Sequence, residues 1–234
     1  MRKTAPDGDG MGLVDLHKHT ILSDGELIAS ELVRRAEVNG YTAIGITDHA
    51  DASNLEWLAE AALRAAEALN RHQAVTVIPG VELTHVPPSQ IEELVTRARA
   101  LGLPLICVHG ETTVEPVAPG TNHAALQCDI DILVHPGLIS EAHAGLAAQR
   151  GIHLELSARQ GHCLTNGHVA RRALEAGARL VVNTDGHDPG DLLTQAAWEA
   201  VARGAGLTED QAAEVARNSE ALAAKLTATS SRSE

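Results

Sequence analysis

Residues 42–49 read TAIGITDH, and this stretch shows the pattern that decides the fold. A short apolar run rich in β-branched residues ends in Thr47, Asp48 and His49, and an Ala- and Leu-rich segment with helical spacing follows at 55–70. Such a pattern predicts a buried strand followed by a helix. The same unit recurs along the chain, and the predicted strands are 12–16, 42–47, 75–78 with 81–83, 104–108, 131–134, 152–156 and 180–183.

Helical patterns separate these strands, at 26–39, 55–70, 89–101, 121–127, 140–150, 167–177 and 190–203. Ser89 and Thr208 precede helical segments as N-caps do, and Gly40, Gly102 and Gly151 stand where left-handed C-caps are expected. Seven strand–helix units predict a parallel sheet covered on both faces, because parallel strands need crossover connections. Periodicity alone leaves open whether this sheet is doubly wound or closed into a barrel. No glycine-rich phosphate loop follows a strand, which argues against a nucleotide-cofactor fold.

The bulk composition favours a single globular domain. In a chain of 234 residues we expect this domain at 11–226, between a flexible tail at 1–10 and a disordered end at 227–234. Neither an apolar run of membrane-span length nor a signal-peptide core is present, so the cytoplasm is the expected location. The three cysteines lack CxxC spacing and indicate neither disulfides nor a thiolate zinc site, and Cys107 is expected in the core. The formal net charge of −13 argues against nucleic acid as the main partner.

Histidines and carboxylates mark the ends of the predicted strands. Six of the seven strands deliver such a side chain at the carboxyl end, where the loops of parallel α/β folds bind ligands. In the segments 17–19 and 185–187, the period of two puts both end residues on one face of an extended segment. Imidazoles together with carboxylates suit zinc, iron or manganese rather than calcium. The sequence therefore predicts a divalent-metal centre, with the candidate ligands His17, His19, Asp24, His49, Glu82, His109, His135, Asp185 and His187.

The motifs at these strand ends resemble the polymerase and histidinol phosphatase (PHP) family. They are, in order, DLHKHT (15–20), SDG (23–25), ITDH (46–49), GVE (80–82), VHG (108–110), VHPG (134–137) and NTDGH (183–187). The chain looks like a short, stand-alone, histidinol-phosphatase-like member. The resemblance implies a distorted seven-stranded (β/α)7 barrel, similar to a TIM barrel, with three divalent metal ions. The implied ligands are His17, His19, Glu82 and Asp185 for one ion, Glu82, His109 and His135 for a second, and Asp24, His49 and His187 for a third.

The resemblance also implies a phosphoesterase. The expected reaction is hydrolysis of a phosphomonoester of a small metabolite such as histidinol phosphate, a nucleotide or a sugar phosphate. Water between two divalent ions is acidified enough to be the nucleophile, so no protein side chain is assigned that role. Arg159 is a candidate for gripping the phosphate, and His162 and His85 for further substrate contacts, each weighed against a structural role. The expected partner is the small substrate, without nucleic acid or membrane, and the expected state is a monomer or small homo-oligomer.

Alternatives remain open at this level. A phosphodiesterase or 3′–5′ exonuclease could use the same metals on nucleic acid or a cyclic nucleotide, although few aromatic residues are available to stack bases. An amidohydrolase-type C–N hydrolase would typically show a carboxylated bridging lysine or a single strand-end Asp as base, and none of the three lysines suits a bridging position. A degenerate, non-enzymatic member would be expected to have lost ligands. Asp48 is expected either to orient a ligand or to cap backbone groups. Glu155 is expected to be a polar strand residue, with a role in orienting a ligand as the alternative. Glu111 is expected to open a lid-like loop.

Overall fold

The computed structural model describes residues 12–230, so the predicted tail at 1–10 and residues 231–234 lie outside the described part of the chain. The strands are β1 (Leu13–Asp15), β2 (Tyr41–Ile46), β3 (His49–Ala50), β4 (Thr76–Leu83), β5 (Leu105–His109), β6 (Ile132–Val134), β7 (His153–Ser157) and β8 (Leu180–Asn183). Every predicted strand is present and its ends agree to within one residue. The segments predicted at 75–78 and 81–83 form one continuous strand, β4, and the two-residue β3 was not predicted.

The α-helices are α1 (Ala29–Val38), α2 (Leu55–Asn70), α3 (Ile91–Ala100), α4 (Thr121–Leu126), α5 (Glu141–Arg150), α6 (Asn166–Ala176), α7 (Gln195–Gly204) and α8 (Glu209–Ser230). Gly40, Gly102 and Gly151 follow helices with φ of 83°, 90° and 70°, as predicted for C-caps. Within the described range 12–230, none of the helices is long and apolar enough to cross a membrane.

The two predicted N-caps have different outcomes. The Thr208 hydroxyl accepts from the Gln211 amide at 3.3 Å and the Gln211 side chain accepts from the Thr208 amide at 2.9 Å, so α8 begins with a reciprocal cap. The prediction for Ser89 is wrong, because Pro88 starts a short 3₁₀ helix that contains Ser89 and leads into α3. Helix α8 continues to Ser230 and so includes the first four residues of the segment 227–234, which we expect to be disordered.

The strands run parallel and pair in chain order, β1-β2-β4-β5-β6-β7-β8, with β3 paired to the end of β4. The outer strands β1 and β8 meet through irregular contacts. The Leu16 amide donates to the Asn183 side chain at 2.9 Å, and beyond it Lys18 forms an isolated bridge with Gly186. The sheet is therefore a nearly closed seven-stranded barrel, which confirms the predicted distorted, TIM-like (β/α)7 fold. The distortion lies at this β1–β8 seam.

Aliphatic side chains fill the barrel, as a chain without Phe requires. Each fully buried side chain of this kind contributes about 1.5–3 kcal/mol relative to exposure. One face of α8 joins the interior cluster and packs beside the amino ends of β1 and β2, so the carboxyl end of the barrel is left to the loops. Cys107 is buried among these residues, as predicted. The interior cluster consists of Val14, Leu16, Ala43, Ile78, Leu105, Cys107, Ile132, Val134, Val181, Leu222, Ala223 and Leu226.

A glycine after β6 tests how closely the carboxyl-end loops pack. Gly137 has φ of +64°, and a Cβ there would lie 1.8 Å from the Glu111 carbonyl oxygen. Gly137→Ala is expected to lower the free energy of unfolding by at least about 2 kcal/mol, because left-handed strain and overpacking each cost about 1–3 kcal/mol. The matched control is Gly145→Ala in α5, where the added methyl meets open space; there a gain of about 0.5–1 kcal/mol is expected. Urea unfolding measures both, and equal stabilities of the two variants would contradict this packing.

Candidate metal centre

The carboxyl ends of the strands bring the nine predicted ligands into one region. Their positions are His17 and His19 just after β1, Asp24 in the following loop, His49 in β3, Glu82 near the end of β4, His109 at the end of β5, His135 just after β6, and Asp185 and His187 after β8. Six of the nine are buried, and Asp24, His49 and His187 are exposed or partly exposed. The strand geometry thus collects residues that are up to 170 positions apart in sequence.

Ligating atoms of these residues form four overlapping groups, in each of which all the atoms lie within 4.8 Å of one another. The groups resemble the ligand sets that the family resemblance implies, with two differences. His19 is an additional member of the outer group, and Asp185 groups with His17 and His135 rather than with His19 and Glu82. In the described structure the groups are His17–His19–Glu82, His17–His135–Asp185, Glu82–His109–His135 and His19–Asp24–His49–His187.

Buried polar atoms without hydrogen-bond partners mark the same place. In this cluster they are Nε2 of His17, both ring nitrogens of His19, Oε1 of Glu82 and Nδ1 of His135; two others in residues 12–230, Nδ1 of His153 and Nε of Arg172, lie outside it. A buried polar atom left unsatisfied costs about 1–3 kcal/mol, so a cluster of them needs a further partner. Imidazole nitrogens and carboxylate oxygens that face one another are the ligands of zinc, iron and manganese. The residues present therefore fit a cluster of divalent metal ions.

Opposite charges compensate within the cluster. Burial disfavours the protonated form of His17, but nearby carboxylates, that of Glu155 foremost, outweigh it and raise the pKa of His17 well above its ordinary value. Burial also lowers the pKa of His49, yet Glu82 and Asp24 outweigh it and raise that pKa to about 10. Burial raises the pKa of Glu82, but His17 and His49 hold it well below its ordinary range. The buried carboxylates thus require adjacent positive charge, which protons on these histidines supply in the metal-free chain.

Glu155 orients one of the candidate ligands. Its Oε2 lies 2.8 Å from Nδ1 of His17 and accepts from the Asn183 side chain at 2.9 Å, while Oε1 accepts from the His135 amide at 3.3 Å. These contacts turn Nε2 of His17 toward Glu82 and Asp185, each of which has an oxygen 3.6 Å away. Our first interpretation, that Glu155 is merely a polar strand residue, is therefore replaced by the second, a group that orients a ligand.

Asp48 fastens the loop that carries Asp24. Its carboxylate accepts from the Thr20 amide at 2.7 Å, from the Thr20 hydroxyl at 2.8 Å and from the Ser23 hydroxyl at 2.6 Å. Of the two roles left open by the sequence, these hydrogen bonds support the backbone-capping one. Asp48 acts on the site by holding residues 20–23 in place.

A buried ion pair that sequence reasoning missed supports the β1–β8 seam. Nζ of Lys18 lies 2.9 Å from the Asp15 carboxylate and donates to the Thr184 hydroxyl at 2.6 Å. Asp15 in turn accepts from the amides of His17 at 3.1 Å and Thr184 at 3.2 Å. The pair therefore fixes the backbone on both sides of the seam, next to His17 and Asp185. The sequence could have indicated this ion pair. Side chains alternate along an extended segment, so Lys18 must face away from its histidine neighbours.

The cluster opens into a pocket of about 270 Å³ at the carboxyl end of the barrel. The three predicted substrate-contact residues, Arg159, His162 and His85, all line it. Nη1 of Arg159 donates to the Asp185 carbonyl at 3.1 Å and lies 2.8 Å from Nδ1 of His187. The ring of His162 stacks on that of His135 at 4.1 Å, which places His162 against the buried centre rather than on the loop surface.

Glu115, in the loop between β5 and α4, is a pocket residue that sequence reasoning missed. Its Oε2 lies 2.9 Å from Nε2 of His109 and 3.1 Å from Nε2 of His85. The hydrogen bond to His109 is the foremost cause of a lowering of the Glu115 pKa to about 2. Glu111, which the sequence places at the start of this loop, accepts from the amides of Gly120 and Asn122 and ties the loop ends together.

The comparison with known proteins bears on the family of the chain. A family model described as the PHP domain matches residues 15–90, which contain five of the nine candidate ligands. The uncharacterized protein MJ1295 of Methanocaldococcus jannaschii is 47% identical over 199 residues, which cover 84% of this chain and 91% of that protein. The chain belongs to the PHP family. This confirms the family membership that the motifs at the strand ends predict.

One further sequence relative and two solved structures of similar fold are proteins of different kinds. The DNA polymerase/3′-5′ exonuclease PolX of Bacillus subtilis is 27% identical over 194 residues, which cover 74% of this chain and 34% of that protein. A chain of an archaeal ribonuclease P with mature tRNA aligns with a TM-score of 0.69 at 17% identity, over 92% of both chains. Histidinol phosphate phosphatase (HisK) of Lactococcus lactis, complexed with zinc, L-histidinol and phosphate, aligns with a TM-score of 0.58 at 13% identity, over 83% of this chain and 94% of that one. At these identities, the two solved structures show a shared fold.

The protonated histidines predict how the stability of the metal-free protein depends on pH. His49 has a pKa of about 10 in the folded chain against 6.5 ordinarily, so its proton favours the folded state. This stabilisation is complete below about pH 6.5 and is lost as the pH rises toward 10. The free energy of unfolding of the metal-free chain should therefore fall between about pH 6.5 and 8.5. Urea unfolding across that range measures it, and His49→Asn should reduce the slope. A slope that His49→Asn leaves unchanged would count against this assignment.

Proposed function

We propose that this PHP protein is a metal-dependent phosphoesterase that hydrolyses a phosphomonoester of a small metabolite. The observation that carries the proposal is the cluster of unsatisfied imidazole and carboxylate atoms, which lies at the floor of a pocket that Arg159 lines. The nine candidate ligands would hold up to three divalent ions, with zinc, manganese and iron as the candidates. HisK, which shares the fold, is complexed with zinc, L-histidinol and phosphate, and this supports a phosphate ester as the class of substrate to test.

Glu82 has the geometry of a ligand shared between ions. Its carboxylate oxygens lie 3.6 Å from Nε2 of His17, 2.6 Å from Nδ1 of His49 and 3.4 Å from Nε2 of His135. When bound, divalent ions at such a cluster acidify water to give a nucleophile and neutralise charge on the phosphoryl oxygens. The protein keeps this region dry and fixed, since Glu82 and His17 are fully buried and Glu155 holds the His17 ring.

Arg159 is placed to hold the phosphate. The guanidinium has five N–H donors in a planar fork, and the contacts of Nη1 with Asp185 and His187 leave further donors for phosphate oxygens. The side chain is about one-third exposed on the pocket wall, next to the candidate ligands. A pocket of about 270 Å³ lies near the small end of ligand sites, which supports a small metabolite rather than a polymer.

The PolX relative favours one second candidate, a 3′–5′ exonuclease activity on single-stranded nucleic acid. Such proteins stack bases on aromatic rings in a basic groove. In the described structure the pocket is lined by histidines, carboxylates, Thr84 and Arg159, without Trp or Tyr. The geometry therefore ranks this activity below phosphomonoester hydrolysis.

The test is release of inorganic phosphate from histidinol phosphate, nucleoside monophosphates and sugar phosphates by the full chain, with its metal content measured. We expect divalent metal in the purified protein, loss of turnover on chelation and recovery when zinc or manganese is restored. His17→Ala is expected to lower kcat/KM at least about 100-fold, because it removes a group at the centre of the cluster. His143→Ala, which removes a histidine from α5 outside the pocket, is the matched control and should keep full activity. A wild-type protein with only trace metal, or full activity in His17→Ala, would overturn the proposal.

Arg159→Met separates phosphate binding from metal binding in the same assay. Loss of a charge-assisted hydrogen-bonding group worth about 1.5–3 kcal/mol should raise KM, and the inhibition constant of inorganic phosphate, by about 10–100-fold. The metal content should stay at the wild-type value. Unchanged inhibition by phosphate would remove Arg159 from the substrate site. Release of mononucleotides from single-stranded DNA, without turnover of any phosphomonoester, would replace the proposed reaction by the exonuclease.

A further inference from the structure

A second cluster of ligating atoms lies at the entrance of the pocket. His85, His109 and Glu115, called the mouth site below, each bring one ligand atom within 4.8 Å of the others. Oε2 of Glu115 is 2.9 Å from Nε2 of His109 and 3.1 Å from Nε2 of His85. Ligands bound at about 2.1 Å in a tetrahedral site lie about 3.4 Å apart, so a small shift of the carboxylate admits an ion. Two imidazoles and one carboxylate form a ligand set that zinc and iron use in proteins.

The backbone of His85 has a positive φ, as do the backbones of two buried candidate ligands. His85 has φ of 52°, and in the described part of the chain the other non-glycine residues with positive φ are His135 at 28° and Asp185 at 51°. Holding such a residue in this conformation costs about 1–3 kcal/mol, and such strain clusters at functional sites. The residue that has this strained backbone, His85, is also the one whose ring lies against Glu115.

The carboxylate of Glu115 faces the mouth site without an arginine or lysine partner in the described structure. Its ion-pair partners are the rings of His85, His109 and His162, the last at 3.4 Å, and no arginine or lysine of residues 12–230 pairs with it. A divalent ion bound among these groups would lie directly beside the Glu115 charge. The loop presents Glu115 in a fixed place, because Glu111 ties its ends and the Thr112 hydroxyl lies 2.7 Å from Nδ1 of His162.

The mouth site lies on the way from solvent to the buried centre. The exposed fraction of the side chain falls from 40% at His85 and 38% at Glu115 to 3% at His109 and 0% at Glu82. Nδ1 of His109 faces the Gly110 carbonyl at 3.1 Å, so Nε2 is the nitrogen that can bind an ion, and it binds one at a time. The mouth position and the inner position, with Glu82 and His135, are therefore alternatives for the same ion.

We propose that the mouth site is a loading site for a divalent metal ion. The ion binds His85, His109 and Glu115 first, and then exchanges His85 and Glu115 for Glu82 and His135 while it stays on Nε2 of His109. The net charge of −13 favours the approach of cations to this entrance. This inference rests on the proposed metal-dependent function and adds to it two residues, His85 and Glu115, that act on metal uptake.

Rapid mixing of the chelated full chain with Co²⁺ tests the loading site, with visible absorption of the bound cobalt as the signal. We expect Glu115→Gln and His85→Asn each to slow uptake at least about tenfold while the final cobalt content stays unchanged. Asn is chosen at position 85 because it tolerates a left-handed backbone while it removes the imidazole. Glu60→Gln removes the same charge from an exposed position in α2 and should take up cobalt at the wild-type rate.

Three outcomes would overturn the loading site. Uptake at the wild-type rate in both variants would overturn it and leave the proposed function intact. A lower final cobalt content in Glu115→Gln would also overturn it, because Glu115 would then be a permanent ligand rather than a transient one. A wild-type chain that takes up no cobalt would overturn the loading site and the proposed metal-dependent function together.

Discussion

The carboxylate of Glu82 is fully buried, yet it lies within 3.7 Å of ring nitrogens from four histidines, His17, His19, His49 and His135. A buried carboxylate is tolerated when positive charge lies beside it, and here that charge comes either from protons on the histidines or from metal ions. The rest of the structure serves this constraint. The barrel collects the histidines from separate strands, α8 covers the opposite end, and the Lys18–Asp15 pair locks the seam next to two of the ligands.

Much of the fold and of the candidate site could be predicted because both rest on local patterns. Strand ends are visible as apolar runs that stop at polar residues, and a period of two assigns His17 and His19 to one face. The parts that were missed or left open depend on how the chain folds in three dimensions. Glu155 meets His17 across 138 positions, and Glu115 reaches His109 only because its irregular loop folds back over the pocket. The opposite holds for Ser89. Its local sequence favours an N-cap, but the 3₁₀ helix that Pro88 starts includes Ser89 instead.

The shared fold does not decide the reaction. Chains of similar architecture occur in ribonuclease P with tRNA and in histidinol phosphate phosphatase, so the residues of the site, rather than the fold, determine the reaction. Three features of the pocket support a small phosphate ester: its volume of about 270 Å³, the position of Arg159 beside the cluster, and the absence of Trp and Tyr from the described lining. The mouth site adds a kinetic aspect, because a centre this deeply buried needs a route by which its ions arrive.

Anomalous diffraction from crystals of the full chain grown with zinc, recorded on both sides of the zinc absorption edge, tests the central claim most directly. At least two zinc peaks are expected among the nine candidate ligands, with the Glu82 carboxylate bonded to two of them and Nε2 of His17 to one. A structure at that zinc concentration without an anomalous peak next to Glu82, with the surrounding histidines hydrogen-bonded to ordered water instead, would contradict it.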